Sequence, residues 1–163
     1  MSESENDLPT ETLVGIVMGS ESDRPKMQAA EVILQRFEIS FEANVISAHR
    51  TPEQAHEYAR LAEDRGLKVI IAGAGRAAHL AGAMAASSIL PVIGVPIYTD
   101  HLGGADALYS TVQMPSGVPV ATMGLNGAAN AAILAVQILA TSDSGLREKL
   151  RMFKKELSQG LRL

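Results

Sequence analysis

Short, nearly continuous apolar runs alternate along the chain with longer segments in which apolar residues recur every three or four positions. Residues 13–18 form the first apolar run, which is typical of a strand covered on both faces, and Gly19 and Ser20 end it. Residues 25–37 show the helical spacing. The same alternation predicts further strands over residues 41–46, 67–72, 91–95 and 118–123, and further helices over residues 52–65, 77–87, 104–112, 126–141 and 145–160.

Local signals mark the ends of two of these helices. Thr51 is expected to cap the second helix, because Pro52 follows at the first helical position and Gln54 lies three residues after the cap. Gly66 is expected to close that helix. Asn126 is expected near the cap of the Ala-rich fifth helix.

Strands that alternate with helices predict a parallel sheet with right-handed crossovers and helices on both faces. We therefore expect a three-layer α/β/α, flavodoxin-like fold with five parallel strands and an extra C-terminal helix. In such sheets ligands bind beyond the carboxyl ends of the strands, where the strand order reverses. Residues that directly follow strands are accordingly the candidates for a functional site.

The length of 163 residues is near the usual size of one domain. We expect residues 11–163 to form a single catalytic α/β domain, and the polar residues 1–10 to form a flexible N-terminal arm. The formal net charge of −4 provides no basic excess for binding nucleic acid. The absence of Cys excludes a disulfide framework, a thiolate zinc site and a cysteine nucleophile.

Apolar segments such as residues 128–140 are too short to span a bilayer, and the acidic N-terminus has no signal-peptide pattern, so we expect a cytoplasmic protein. The helical segments are crowded with Ala and Gly, and aromatic residues are only 4% of the chain. Helices of this kind can pack closely against other subunits, so a homo-oligomer is favoured over a monomer.

The first candidate loop follows the first predicted strand and leads into a helix. It contains Ser20, Ser22 and Asp23, whose hydroxyls and backbone N–H groups suit a phosphate. The Asp23 carboxylate could also accept hydrogen bonds from two ribose hydroxyls. For this loop alone, simple helix capping is the favoured interpretation.

The second candidate loop follows the second strand and contains Ser47, Ala48, His49 and Arg50. An Arg can bind phosphate, and a His can exchange a proton near neutral pH. The alternative is a solvated Arg50 and a His49 that bonds only to a neighbouring loop. The position directly after a strand favours the functional interpretation.

The third candidate loop follows the third strand, where small residues allow a planar ligand to approach the backbone. It contains Gly73, Ala74, Gly75, His79 and Leu80. Its G-x-G does not follow the first strand and lacks the third glycine and the later acidic residue of the dinucleotide fingerprint, which argues against a nicotinamide cofactor. On these grounds His79 is either a pocket residue or a satisfied residue at a helix start.

The two remaining histidines carry less weight. His56 lies in a polar helix and is expected to be solvated. His101 has no partner at a spacing that suggests a metal site, and no histidine pair with carboxylates is arranged as in zinc sites.

Four segments together resemble the class I N5-carboxyaminoimidazole ribonucleotide mutases (the PurE family), in the family's order and near its spacing, from about residue 13 to residue 141. They are residues 18–23, 47–52, 73–82 and 113–120. The resemblance implies an isomerase that converts N5-carboxyaminoimidazole ribonucleotide to 4-carboxyaminoimidazole ribonucleotide in de novo purine (IMP) biosynthesis. It also implies a flavodoxin-like homo-octamer that uses no metal and no organic cofactor.

The resemblance also implies roles for individual residues. His49 matches the proton-transfer histidine, the catalytic general acid and base. Ser20, Asp23 and Arg50 match the nucleotide-binding positions, and Ser22 lies in the same loop as the first two. The small pocket around the migrating carboxyl group is matched by Ser47, Ala74, Gly75, His79 and Leu80. Ala48 and Gly73, in the second and third loops, are also expected to bind substrate. By the same resemblance, the loop over residues 113–119 is expected to close on the nucleotide across a subunit boundary.

Two residues depart from the family pattern. Arg76 stands where the family usually has Gly, and Ala81 where it usually has Pro. An Arg costs more free energy than Gly if the backbone there requires a positive φ. The Ala-Gly-Arg sequence is also similar to the class II relatives, which carboxylate aminoimidazole ribonucleotide directly with carbon dioxide. That carboxylase activity, and a non-catalytic nucleotide-binding module, are the alternative functions.

Overall fold

The computed structural model describes residues 11–163, so the expected arm over residues 1–10 lies outside the described residues. Five parallel strands form one sheet in the order β2-β1-β3-β4-β5, which confirms the flavodoxin-like order. The strands are β1 (Val14–Met18), β2 (Phe41–Val45), β3 (Val69–Gly75), β4 (Val92–Ile97) and β5 (Ala121–Thr122).

Helices cover both faces of the sheet. They are α1 (Arg24–Arg36), α2 (Pro52–Leu61), α3 (Leu80–Ser87), α4 (Ala105–Val112), α5 (Ala128–Ala140) and α6 (Ser144–Ser158). Successive residues of a strand point to opposite faces. Ile16 and Met18 therefore pack in the core beneath α1, α5 and α6, whereas Val17 packs in the core beneath α2 and α3.

The connection after β3 differs from the prediction. β3 continues to Gly75, past the predicted end at residue 72, and α3 begins at Leu80 rather than at residue 77. Between them the N–H of Ala78 donates to the carbonyl of Arg76, 2.8 Å away, which makes a tight turn instead of a first helical turn. The first residues assigned to the third candidate loop, 73–75, therefore belong to β3, and the turn comes after them.

Thr51 and Asn126 lie at or next to the predicted caps, but neither side chain accepts a hydrogen bond from its helix. Thr51 does occupy the N-cap position of α2, but its hydroxyl donates to the carbonyl of Ser47 (2.9 Å) and accepts nothing from the helix. Asn126 lies outside α5 with φ +56°, and its side-chain oxygen accepts from the N–H of Tyr98 (2.9 Å). Gly66 does not close α2 as predicted, because α2 ends at Leu61; with φ +92°, Gly66 ends the turn over residues 62–66 that follows the helix.

β5 contains only Ala121 and Thr122, far fewer residues than the predicted 118–123. Pro119 has no N–H to donate to a neighbouring strand, and it restricts the residue before it. The N-terminal part of the predicted strand therefore remains outside the ladder.

Close packing over β1 predicts a specific stability effect of Gly15→Ala. A Cβ at Gly15 would lie 2.2 Å from the hydroxyl oxygen of Tyr58, which donates to Glu42. We expect Gly15→Ala to lower the free energy of unfolding by about 1–3 kcal/mol, the usual range for overpacking. Urea unfolding measures it, and the loss should shrink in a Tyr58→Phe background, which lacks the clashing oxygen. An equal loss in both backgrounds would contradict this explanation.

Candidate functional site

The three candidate loops meet at the carboxyl end of the sheet and enclose one cavity of about 400 Å³. It is lined by the predicted site residues other than Gly73, namely Ser20, Ser22, Asp23, Ser47, Ala48, His49, Arg50, Ala74, Gly75, His79 and Leu80. They come together because β1, β2 and β3 are adjacent parallel strands, so the residues that follow them lie at the same end of the sheet.

Two imidazoles face each other inside this cavity. His49 Nε2 lies 2.8 Å from His79 Nδ1, and the two rings are nearly perpendicular, at 86°. A hydrogen bond between two imidazoles needs one nitrogen that donates and one that accepts, so the tautomers of the two rings are linked. A proton gained or lost by one ring therefore changes what the other can donate.

Arg50 joins the loops after β1 and β2. Its Nε donates to Ser47 Oγ (3.3 Å), and one terminal nitrogen donates to the carbonyl of Gly19 (3.2 Å). The backbone N–H of Arg50 also donates to Ser47 Oγ, at 3.1 Å. The guanidinium is thus held beside the first loop, where it can bind an anion together with the loop's N–H groups.

In the first loop, Ser20 caps a turn with its side chain, whereas Asp23 does not. Ser20 Oγ accepts from the backbone N–H (3.3 Å) and the hydroxyl (2.9 Å) of Ser22, so Ser20 caps the short 3-10 turn that follows it. Asp23 occupies the N-cap position of α1, but its carboxylate accepts no capping hydrogen bond from the helix. Helix capping therefore explains Ser20 and does not explain the Asp23 carboxylate.

Partial burial of Asp23 raises the pKa of its carboxyl above the ordinary value. A hydrogen bond with the Ser20 backbone and the positive charge of Lys26 act to lower this pKa, but the effect of burial is larger. The ionised carboxylate thus destabilises the folded state at neutral pH. Because acidification through the raised pKa protonates the carboxyl in the folded state, this cost disappears at low pH.

We expect Asp23→Asn to raise the free energy of unfolding at pH 7, by less than about 1 kcal/mol because the side chain is only partly buried. Denaturant unfolding at several pH values measures the difference between variant and wild type. This difference in the free energy of unfolding should become smaller as the pH falls towards the ordinary Asp pKa. A difference that widens on acidification would show that Asp23 stabilises the fold.

Gly73 lies below the cavity and packs the fold. Its carbonyl accepts from the N–H of Gly19 (3.0 Å), and a Cβ on Gly73 would lie 2.3 Å from the sulfur of Met27. This glycine therefore lets α1 approach β3 and holds the end of β1 against it. Its assignment to substrate binding stays a prediction.

Sequence reasoning did not assign four of the lining residues to the site: Gly19, Arg76, Ala77 and Thr99. Thr99 is the second residue after β4, which ends at Ile97 rather than at the predicted residue 95, so a correct end for that strand would have pointed to it. Gly19 and Ala77 lie within loops already singled out. Arg76 has φ +55°, so the condition under which an Arg there costs more than Gly is met.

The other histidines and the 113–119 loop lie outside the cavity. His56 Nδ1 is 2.9 Å from Ser87 Oγ, so His56 connects α2 to α3 rather than being only solvated. His101 begins a short 3-10 turn. The 113–119 loop does not line the cavity of its own chain; the end of the Met114 side chain lies 3.2 Å from the place where a Cβ on Gly82 would be.

Among residues 11–163, no group of three or more His, Asp or Glu side chains is placed to hold a metal ion. In the same part of the chain, no helix has both the length and the apolar character needed to cross a membrane.

A parallel sheet in this order, with a polar cavity where the strand order reverses, is typical of flavodoxin-like α/β proteins that bind phosphorylated ligands. The comparison with known proteins is more specific. The family model described as AIR carboxylase matches residues 13–160, and the chain belongs to this family.

Individual relatives cover most of the chain. The N5-carboxyaminoimidazole ribonucleotide mutase of Pyrococcus abyssi is 56% identical over 90% of this chain and 84% of its own length. The phosphoribosylaminoimidazole carboxylase of Saccharomyces cerevisiae is 54% identical over 86% of this chain, but over only 25% of its own length. The crystal structure of Treponema denticola PurE superimposes with a TM-score of 0.82 at 31% identity, over 90% of this chain and 92% of that one.

Proposed function

We propose that this protein is an N5-carboxyaminoimidazole ribonucleotide mutase, an isomerase of purine (IMP) biosynthesis that acts in the cytoplasm and forms 4-carboxyaminoimidazole ribonucleotide. The observation that carries the proposal is the pair His49 and His79, 2.8 Å apart, in the same cavity as Arg50 and Asp23. A protein that only binds phosphate does not need the imidazoles. The mutase name of the Pyrococcus abyssi relative supports the same reaction.

The ribonucleotide part of the substrate would occupy the side of the cavity formed by the first two loops. Arg50 and the N–H groups around Ser20 bind the phosphate, and the Asp23 carboxylate accepts hydrogen bonds from the ribose hydroxyls. These contacts place the aminoimidazole ring towards His49 and His79. Because the ring is held in place, its recombination with the released carbon dioxide becomes a step within one complex instead of an encounter in solution.

The reaction moves one carboxyl group and one proton. The bond between carbon dioxide and the exocyclic nitrogen breaks, and the nitrogen gains a proton. Carbon 4 of the ring then attacks the retained carbon dioxide, and the adduct loses the proton from that carbon. His49 can deliver the first proton and accept the second, since an imidazole serves as both acid and base near neutral pH.

Small side chains in the lining leave room for the carbon dioxide. Ala48, Ala74, Gly75 and Leu80 line the cavity, and Ala48 and Leu80 are the chain neighbours of His49 and His79. Among them only Leu80 is larger than Ala. A small, poorly hydrated space keeps the gas close to the ring and water away from it.

One assay distinguishes the candidate activities. Purified protein receives N5-carboxyaminoimidazole ribonucleotide in one experiment, and aminoimidazole ribonucleotide with bicarbonate in another, while the ultraviolet absorbance of the carboxylated imidazole is followed. We expect rapid turnover of the first substrate. Turnover of the second alone would instead identify a direct carboxylase, the activity named for the Saccharomyces cerevisiae relative. Binding without turnover of either would identify a nucleotide-binding module.

We further propose that the enzyme assembles as a homo-octamer in which the 113–119 loop reaches the cavity of a neighbouring subunit. Several large apolar side chains within about 15 residues of this loop in the sequence are exposed: Tyr98, Leu102, Tyr109, Val112 and Leu125. Light scattering should give eight times the chain mass of 17.2 kDa. Tyr109→Asp, at 62% exposure, should shift the distribution to smaller species, whereas a wild-type monomer would exclude the assembly.

A further inference from the structure

Arg76 occupies a backbone conformation that disfavours it. It lies in the turn between β3 and α3 with φ +55°, in the left-handed region where Gly has no steric penalty and other residues do. Strain of this kind persists where the surrounding structure or a function maintains it, and it concentrates at ligand sites. Arg76 also lines the cavity that holds His49 and Arg50.

The contacts of Arg76 fix its backbone and leave its guanidinium without a protein partner among residues 11–163. The Arg76 carbonyl accepts from the N–H of Ala78 (2.8 Å) and from Ser110 Oγ on α4 (3.2 Å). By contrast, several arginines form ion pairs with glutamates, as in Arg24–Glu21, Arg36–Glu156, Arg65–Glu42 and Arg151–Glu148. The part of the chain that the structure describes therefore holds the backbone of Arg76 and makes no ion pair or hydrogen bond with its guanidinium.

The charges of the cavity fit a ligand with two anionic groups. Among residues 11–163, Arg50 and Arg76 are the two arginines that line it and Asp23 is the one acidic residue, in a chain with a net charge of −4. Arg50 is held at the loops after β1 and β2, whereas Arg76 follows β3 on the other side of β1. The substrate of the proposed function carries a phosphate and a carboxylate.

We propose that Arg76 binds the carboxylate of the carboxylated ribonucleotides and makes the site prefer them over aminoimidazole ribonucleotide. Arg76 lies three residues before His79, on the loop that supplies the second imidazole, so it belongs to the end of the cavity where the carboxyl group moves. A guanidinium can donate two parallel hydrogen bonds to a carboxylate, which gives both affinity and orientation. This inference rests on the mutase activity proposed above.

Calorimetry with two ligands tests the preference. Wild type and Arg76→Met are titrated with 4-carboxyaminoimidazole ribonucleotide and with aminoimidazole ribonucleotide, which lacks the carboxyl group. We expect Arg76→Met to weaken binding of the first ligand by about 10- to 100-fold, the usual range for a hydrogen bond to a charged group, and binding of the second by less than about threefold. Arg60→Met is the matched control, because Arg60 is also exposed without a side-chain partner among the described residues but lies on α2 outside the cavity.

Two further variants separate binding from folding. Arg76→Gly removes both the guanidinium and the strained torsion, so it should lose the preference for the carboxylated ligand while its Tm stays at or above that of wild type. Arg76→Lys keeps the charge without the paired donors and should recover only part of the preference.

Equal weakening of both ligands by Arg76→Met would place Arg76 at the phosphate and overturn the carboxylate assignment. Unchanged binding of both would show a solvated side chain and overturn it as well. Either result is compatible with a wild type that turns over N5-carboxyaminoimidazole ribonucleotide. If instead the wild type neither turns over nor binds the carboxylated ligand, the proposed function itself is wrong.

Discussion

Replacing His49 with Asn should lower kcat for N5-carboxyaminoimidazole ribonucleotide by about 10³-fold, within the range found when a general acid and base is removed. Affinity for aminoimidazole ribonucleotide should change by less than about threefold, because the groups proposed to hold the nucleotide are the guanidinium of Arg50 and the carboxylate of Asp23, which also line the cavity. Steady-state kinetics and calorimetry measure the two effects separately.

The structure explains why this loss should be large even though His79 is close by. His49 and His79 share one hydrogen bond of 2.8 Å, and they follow different strands, so neither occupies the other's position relative to a bound ring. Asn can keep a hydrogen bond to His79, but it cannot accept and release a proton near neutral pH.

His56→Asn is the control for this prediction. His56 bonds to Ser87 between α2 and α3, outside the cavity, so its replacement should leave kcat unchanged. Full activity of His49→Asn would show that His49 is not the proton-transfer residue. A loss of nucleotide binding as large as the loss of kcat would show that its main role is in binding.

The sheet and the meeting of the three loops could be predicted because both follow from alternation. Apolar runs such as residues 13–18 separate strands from helices, and the parallel order places everything that follows a strand at one end of the sheet. His49 and His79 are 30 positions apart in the chain, and their meeting needed only the correct strand order.

Features decided by single hydrogen bonds could not be predicted in this way. Thr51 and Asn126 are good capping residues by type, but Ser47 and Tyr98 offer their side chains other partners. Gly73 is predicted to bind the ligand because small residues suit a pocket, and the structure shows a further reason for a glycine there, since a Cβ would lie 2.3 Å from the sulfur of Met27. A sequence pattern shows which residue is small, and only packing shows what fills the space beside it.

For Arg50, the residue type predicts that the side chain binds an anion, and the structure adds how the guanidinium is held in place. Two loops hold its guanidinium through hydrogen bonds within the chain, to Ser47 Oγ and to the Gly19 carbonyl. A donor fixed in advance loses less side-chain entropy when it binds an anion, which strengthens the contact.

We therefore expect Arg50→Met to raise KM for N5-carboxyaminoimidazole ribonucleotide by about 100-fold, in line with the loss of a charge-assisted phosphate contact, with a smaller effect on kcat. Arg50→Lys should recover only part of this loss, because an ammonium is a point charge without the guanidinium's paired donors.

The matched control is Arg24→Met. Arg24 is a cation near the first loop that pairs with Glu21 and does not line the cavity. The KM of this variant should stay within about twofold of wild type, since an exposed ion pair contributes little. If Arg24→Met and Arg50→Met raise KM equally, the effect is one of overall charge near the site, and the phosphate contact assigned to Arg50 is wrong. If Arg50→Met lowers kcat with KM unchanged, Arg50 acts on the carboxyl transfer, and the phosphate is held by the N–H groups around Ser20 alone.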